Sequence, residues 1–188
     1  MWTNLTILAL VTLQRLVELY IARRNTKRLI DNGGIEVSSG HYPLIVLFHA
    51  AWLGGLWYLV WNETVSWPWA IAYLVLQAAR GWIIAALGSR WTTRIIVVPG
   101  ETLSVAGPYK YFRHPNYMIV AAEIFILPLA FSMWWYAIIF GVLNLALLHW
   151  RIREEERALK PLRGEIQFPD EPSAVSYTHL TLPTILLV

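Results

Sequence analysis

The sequence predicts an all-α polytopic membrane protein with about five transmembrane helices. Of its 188 residues, 57% are hydrophobic and 14% are charged, whereas soluble domains average roughly 45–50% apolar and about 25% charged residues. Several apolar stretches reach the roughly 20 residues that a helix needs to cross a bilayer. Lysine and arginine also concentrate in alternate connections between these stretches, as the positive-inside rule requires.

The first three predicted spans are residues 2–22, 42–61 and 67–87. The first could be a signal peptide, but it lacks a basic start and contains charged residues, so we favour a membrane helix. Arg15 and Glu18 lie three residues apart on one helical face. They are expected either to neutralise each other at the membrane interface or to line a polar cavity.

Further polar residues occur in the later spans. Gln77 and Arg80 repeat the three-residue spacing in the third span, and Glu123 follows in the fourth. Because ionisable groups in a bilayer normally face a partner or water, these residues predict a bundle with a wet or ligand-filled interior.

The stretch 117–150 has to fold back on itself. Its 34 residues are too many for one span, and Pro128 together with residues 131–133 offers a place for a tight turn. The first arm, 117 to about 131, is expected to be short and tilted or only partly inserted. The second arm is expected to begin at about Trp134.

Five spans with an external N-terminus place thirteen of the fifteen basic residues on one side, which the positive-inside rule identifies as cytoplasmic. The other two, Arg15 and Arg80, lie within spans. Four or six spans would break this segregation.

The chain is predicted to form one domain, residues 1–164. The remaining segment, 165–188, contains Pro169, Pro172 and Pro183 and shows strand-like rather than helical alternation. We expect an irregular tail outside the fold, from an appended or out-of-frame translation.

The most informative polar stretch lies before the fourth span and ends in Gly107-Pro108-Tyr109-Lys110-Tyr111-Phe112-Arg113-His114-Pro115-Asn116-Tyr117. Gly107 and Pro108 predict a turn, and Pro115 suits the first turn of a helix. The helix start beside Arg113 could bind an anion, and the tyrosines could hold a cationic or aromatic ligand. A juxtamembrane turn with an aromatic belt is an equally good interpretation of the spacing alone.

A second polar cluster, residues 151–159, continues the fifth span. Arg151 and Glu155 are four residues apart, so one helical face could present a cation and a carboxylate toward the Arg113-His114 turn. A solvated helix end is the alternative.

Several site classes find no support. The chain has no cysteine, and His41, His49 and His149 lack metal-ligand spacing, so we interpret them as core or interface residues and predict no metal site. No GxGxxG, P-loop or GxSxG sequence occurs. A net charge of +3 is weak evidence for nucleic acid, and we expect none as a partner.

The chain resembles the isoprenylcysteine carboxyl methyltransferase family of integral membrane methyltransferases. Residues 113–117 match its RHPxY motif, residues 155–159 match EExxL, and a helical hairpin separates the two. Residues 14–19, 22–25, 40–44 and 94–100 are similar to a bacterial branch whose members O-methylate long-chain alkylpyrones or phenolic lipids.

The resemblance implies a cofactor, S-adenosyl-L-methionine (SAM), in a cytoplasmic pocket formed by loop and helix ends. The residues implied at the cofactor are Leu103, Ser104, Tyr109, Arg113, His114, Pro115, Asn116, Tyr117 and Glu155. Arg151 matches the substrate-side arginine, and Arg151 with Glu155 is the implied catalytic pair. The long C-terminal segment of the eukaryotic enzymes is not matched, which favours a small lipid over a prenylated protein as acceptor.

The implied activity is methyl transfer from SAM to an acidic oxygen, a carboxylate or an enol or phenol, of a lipophilic acceptor in the bacterial inner membrane. Prenylcysteine-type carboxyl methylation, an NADPH-dependent membrane lipid reductase and a non-catalytic bundle stay open as alternatives.

Overall fold

The computed structural model describes residues 2–37, 40, 42–99, 107–112 and 114–164, with backbone only for 158–164. Five α-helices make up most of this part of the chain. They are α1 (Trp2–Asp31), α2 (Tyr42–Leu59), α3 (Trp67–Leu87), α4 (Pro115–Ala130) and α5 (Trp134–Gly164). Four are long and apolar enough to cross a membrane, and α4 is a shorter apolar helix of 16 residues. The predicted all-α membrane fold is confirmed.

Successive helices run in alternate directions. At one end of the bundle, Asn4 of α1 donates to the carbonyls of Val60 and Glu63, at 3.0 and 2.7 Å. At the other end, Asn25 of α1 donates to the carbonyls of Gly88 and Trp91, at 3.1 and 2.7 Å. The second end also carries the described basic residues outside the spans, so we call it the basic end.

The hairpin between α4 and α5 lies where the sequence predicts it. The carbonyl of Pro128 accepts hydrogen bonds from the N–H groups of Phe131 and Met133, at 3.0 and 2.9 Å. Ser132 between them has a positive φ of 60°. The chain therefore reverses within three residues, and α5 begins at Trp134, as expected.

Two short strands form at the basic end, which an all-α prediction does not include. β1 (Ile35–Glu36) and β2 (Ile96–Val97) pair antiparallel, with Ile35 opposite Val97. Arg94 donates to Glu36 at 2.7 Å, and this hydrogen bond raises the pKa of Arg94. The strands tie the connection after α1 to the connection after α3.

Apolar side chains lie both inside and outside the bundle. A buried cluster distal to the basic end includes Leu8, Trp52, Leu56, Leu127 and Phe131. Many other large apolar side chains are exposed, among them Leu10, Leu13, Leu47, Leu74, Val75, Val142 and Leu145. Such a surface suits hydrocarbon rather than water, in agreement with a membrane protein.

Candidate functional site

Tyr117, in the first turn of α4, joins three parts of the chain. Its hydroxyl donates to Oε2 of Glu155 and accepts from Nε of Arg151, both at 2.8 Å. The Arg151 guanidinium also donates to the carbonyl of Thr93 at 2.8 Å. Tyr117, Arg151 and Glu155 are all buried. The start of α4, the basic end of α5 and the connection after α3 are therefore fixed to one another.

Local sequence explains how Tyr117 reaches this position. Pro115 occupies the first turn of α4, where a missing N–H costs nothing. A 3₁₀ turn, Gly107–Lys110, comes before it and packs against α3. Gly107 has a φ of 57°, and a Cβ there would lie 2.7 Å from that of Ala86. Glycine is thus required for both the turn and the close approach.

Aromatic rings and buried polar atoms surround Tyr117. The His114 ring stacks on that of Tyr117, with centroids 5.8 Å apart. Within the part of the chain that the structure describes, the buried Tyr109 hydroxyl and Asn116 Oδ1 have no hydrogen-bond partner. Burial, and secondly the charge of Glu155, raises the pKa of Tyr109, so its hydroxyl stays a neutral donor. Buried polar atoms without a partner are costly and are commonly satisfied by a ligand.

The structure brings most of the predicted site residues together. Tyr109, His114, Pro115, Asn116 and Tyr117 lie on consecutive segments at the basic end, and the side chains of Arg151 and Glu155 face them from α5. The interpretation of Arg151 and Glu155 as a solvated helix end is wrong, because both are buried. Leu103, Ser104 and Arg113 lie outside the described residues.

A cavity of about 330 Å³ extends from this site into the bundle. All five helices contribute to its lining, and most of the lining area is apolar. The apolar lining residues on α1 and α2 include Leu16, Leu19, Ile45, Val46 and Leu53. Arg151, Tyr117, Asn116 and Thr93 line its basic end, so an apolar chain and a polar head group could occupy it together.

Four charged residues of the predicted polar interior line the same cavity. Arg80 pairs with Glu18 at 2.8 Å and with Glu123 at 3.0 Å. Arg15 pairs with the same two carboxylates at 2.8 and 2.9 Å. Two positive and two negative charges from α1, α3 and α4 thus form a neutral group, which we call the charge quartet. Gln77 donates to Glu123 at 2.8 Å and completes it.

A groove of about 470 Å³ lies between α1 and α2 at the basic end. It shares Leu19, Tyr42, Val46 and Thr93 with the cavity lining. Arg23 and Lys27 lie on its α1 side. The groove therefore connects the cavity to the surface where lipid head groups would lie.

Sequence reasoning missed two features of this site. The carbonyl of Thr93 holds Arg151, and the buried Asn144 lines the cavity. A backbone carbonyl gives no signal in side-chain patterns, and a single asparagine in an apolar span resembles a tolerated polar residue. Among the described residues, no group of three His, Asp or Glu side chains could hold a metal ion.

Residues 69–161 match the isoprenylcysteine carboxyl methyltransferase (ICMT) family. The uncharacterized protein YpbQ of Bacillus subtilis is 36% identical over 159 residues, which cover 82% of this chain and 95% of YpbQ. An uncharacterized protein of Haemophilus influenzae is 27% identical over 169 residues, covering 86% and 97% of the two chains. No solved structure matches the chain.

Proposed function

The chain belongs to the isoprenylcysteine carboxyl methyltransferase family, and we propose that it is an integral membrane O-methyltransferase that uses SAM. Family membership supports a membrane methyltransferase. We further propose that the basic end lies in the cytoplasm of a bacterial cell, at the inner membrane, and that the methyl acceptor is lipophilic.

The residues around Tyr117 fit the chemistry of SAM. Its ammonium and ribose hydroxyls need acceptors, which the Glu155 carboxylate and Asn116 Oδ1 provide. Its sulfonium and adenine suit the faces of aromatic rings, which Tyr109 and His114 offer at this site. Its carboxylate suits the free N–H groups at the start of α4. Tyr109 adds a buried hydroxyl donor with no partner in the described structure.

When bound, SAM supplies an electrophilic methyl group, so catalysis depends mainly on how an acceptor oxygen is positioned. Arg151 is the cation available to orient that oxygen. Arg151 and Glu155 bond to the same Tyr117 hydroxyl. The place proposed for the acceptor oxygen, at Arg151, is therefore fixed relative to the place proposed for SAM, at Glu155.

The cavity is the observation that carries the proposal of a lipophilic acceptor. Its aliphatic walls end at Arg151, and the groove between α1 and α2 gives a path from the membrane surface. An alkyl chain would lie among the helices with its oxygen-bearing head at Arg151. Alkylpyrones and phenolic lipids, which the sequence resemblance implies, have this shape.

Calorimetric titration of the purified protein with SAM tests the cofactor. We expect saturable binding that NADPH does not compete with, and roughly ten- to hundredfold weaker binding in Glu155→Gln, since a hydrogen bond to a charged group contributes about 1.5–3 kcal/mol. The control is Glu156→Gln, because Glu156 is the exposed neighbour. Absence of SAM binding, or competition by NADPH, would contradict the proposal.

Incubation of membranes with labelled SAM and defined acceptors tests the reaction. Long-chain phenols, fatty acids and a prenylcysteine should be compared at equal concentration. We expect label in an extractable lipid product. Label restricted to prenylcysteine would support carboxyl methylation of that acceptor instead.

A further inference from the structure

His49 of α2 lines the cavity with one ring nitrogen committed to the backbone. Its Nδ1 lies 2.8 Å from the carbonyl oxygen of Ile45. A carbonyl oxygen can only accept a hydrogen bond, so Nδ1 of His49 must carry the ring hydrogen and donate it. In the neutral ring Nε2 then holds a lone pair, and the described residues provide no hydrogen-bond donor to it.

The carboxylates of the same cavity are already occupied. Oε1 and Oε2 of Glu18 accept from Arg80 and Arg15. Both oxygens of Glu123 also bond to these two guanidiniums. A carboxylate held by two guanidiniums is a weak proton acceptor. Among the described groups that line the cavity, Nε2 of His49 is the ring nitrogen that carries neither a hydrogen atom nor a hydrogen bond.

Charged groups face His49 from four helices. Arg15 and Glu18 lie on α1, Arg80 on α3, Glu123 on α4 and Arg151 on α5, and all line the same cavity. A neutral imidazole in the same cavity as the Arg151 guanidinium suits an acceptor that arrives protonated and becomes anionic as it reacts.

We propose that His49 is the general base of the reaction and that the acceptor carries a neutral hydroxyl group, as a phenol or an enol does, instead of a carboxylate. This inference rests on the proposed function. The acceptor oxygen forms a bond to the methyl carbon while the carbon–sulfur bond breaks and sulfur keeps the electron pair. The hydroxyl proton passes to Nε2 of His49, and Arg151 stabilises the negative charge that develops on oxygen.

Asn144 extends the description of the acceptor. Its Nδ2 is buried in the cavity lining and has no hydrogen-bond partner within the described part of the chain. A donor in this position suits an oxygen that accepts. Asn144 could therefore donate a hydrogen bond to an acceptor bound in the cavity.

His49→Asn tests this assignment, because asparagine can donate to the Ile45 carbonyl as Nδ1 does but offers no basic nitrogen. With a long-chain alkylphenol as acceptor, we expect a loss of roughly 10²–10⁴-fold in kcat with unchanged SAM affinity. His149→Asn is the matched control, because His149 is exposed on α5. If His49→Asn does not fold, His49→Gln replaces it.

The dependence on acceptor acidity separates a base from a structural residue. We expect the rate ratio of wild type to His49→Asn to fall as fluorine substitution acidifies the phenol, and to approach one for a fatty acid that is already ionised. An equal loss with every acceptor would overturn the assignment.

A binding experiment without methyl donor gives an independent readout. A long-chain alkyl nitrophenol should turn to its yellow phenolate on binding to wild type, at a pH where the free probe is protonated. His49→Asn should bind the probe with little colour change. Equal ionisation in both proteins would overturn the inference while leaving the proposed function intact, whereas no SAM binding by wild type would contradict the proposed function itself.

Discussion

At the scale of single residues, the Tyr117 hydroxyl determines the geometry of the candidate site. It is the one atom that contacts both Arg151 and Glu155 in the described structure, at 2.8 Å each. Its ring also lies 5.5 Å from the Arg151 guanidinium carbon. The ring and the hydroxyl can therefore be tested separately.

Tyr117→Phe keeps the ring and removes the hydroxyl. Because Arg151 Nε and Glu155 Oε2 lose a buried partner, we expect the free energy of unfolding in detergent to fall by about 1–3 kcal/mol. Tyr58→Phe is the control, since the Tyr58 side chain is 81% exposed. Equal stability of the two variants would show that the Tyr117 hydroxyl contributes nothing.

The sequence predicts which residues approach this site but not how they contact each other. Matches to the family pattern identify Tyr117, Arg151 and Glu155, because such matches depend only on residue type, which the sequence gives directly. Helical spacing places Arg151 and Glu155 on one face of α5, but by itself it does not decide between a face turned toward the start of α4 and a solvated helix end. The hydroxyl that joins them, and the Thr93 carbonyl behind Arg151, depend on tertiary packing. His49 gives no signal, because an isolated histidine in an apolar span resembles a core residue.

At the scale of helices, Gly55 of α2 lies against the side chain of Tyr136 on α5. The Tyr136 hydroxyl donates to the Trp52 carbonyl at 2.8 Å, and a Cβ on Gly55 would overlap that hydroxyl. Tyr136 is buried. A helix with bulkier residues could not pack here.

Gly55→Ala should therefore destabilise the protein by about 1–3 kcal/mol, the usual cost of overpacking. Gly54→Ala is the matched control, because no atom lies within 4 Å of the Cβ position at Gly54. Thermal unfolding in detergent measures both. If adding Tyr136→Phe restores the stability of Gly55→Ala, the overlap with the Tyr136 hydroxyl is confirmed. A Gly55→Ala single variant as stable as the wild type would contradict it.

The charge quartet links α1, α3 and α4. Arg80→Met leaves Glu18 and Glu123 with a single guanidinium, and we expect a loss of about 3–5 kcal/mol, as for other broken buried pairs. Arg153→Met, at an exposed position, should cost little. Adding Glu123→Leu restores neutrality and should recover part of the stability; further loss in the double variant would show that the quartet does not act as a unit.

The helices follow from the sequence more fully than the connections do. Apolar length predicts all five helices, and Pro128 with residues 131–133 predicts the hairpin. α1 extends to Asp31, beyond the apolar run, because polar residues continue a helix outside the bilayer. β1 and β2 have two residues each, which is too few for an alternating pattern to be recognised.

At the scale of the whole molecule, the bundle is polarised along its axis. The site, the groove and the described basic residues outside the spans all lie at one end. The positive-inside rule assigns that end to the cytoplasm, which the topology of the protein in cells can test directly.

The absence of cysteine makes labelling experiments simple. Arg24→Cys at the basic end and Asn62→Cys at the opposite end both replace exposed residues. We expect a membrane-impermeant maleimide added to intact spheroplasts to label Asn62→Cys at least tenfold faster than Arg24→Cys, because the bilayer blocks access. The reverse order would place the site outside the cytoplasm.

The distribution of the charge quartet among the helices has a consequence for biosynthesis. The two quartet members on α1, Arg15 and Glu18, neutralise each other, whereas α3 contributes only the cation Arg80 and α4 only the anion Glu123. A nascent α3 leaving the translocon would thus gain most by docking on α1 before α4 has been synthesised. In ribosome-bound chains that end before Pro115 and carry a flexible tether long enough to fill the ribosomal tunnel, a crosslinker should join Gln14→Cys to Gln77→Cys, whose native side chains are hydrogen-bonded. Glu18→Gln should reduce that yield.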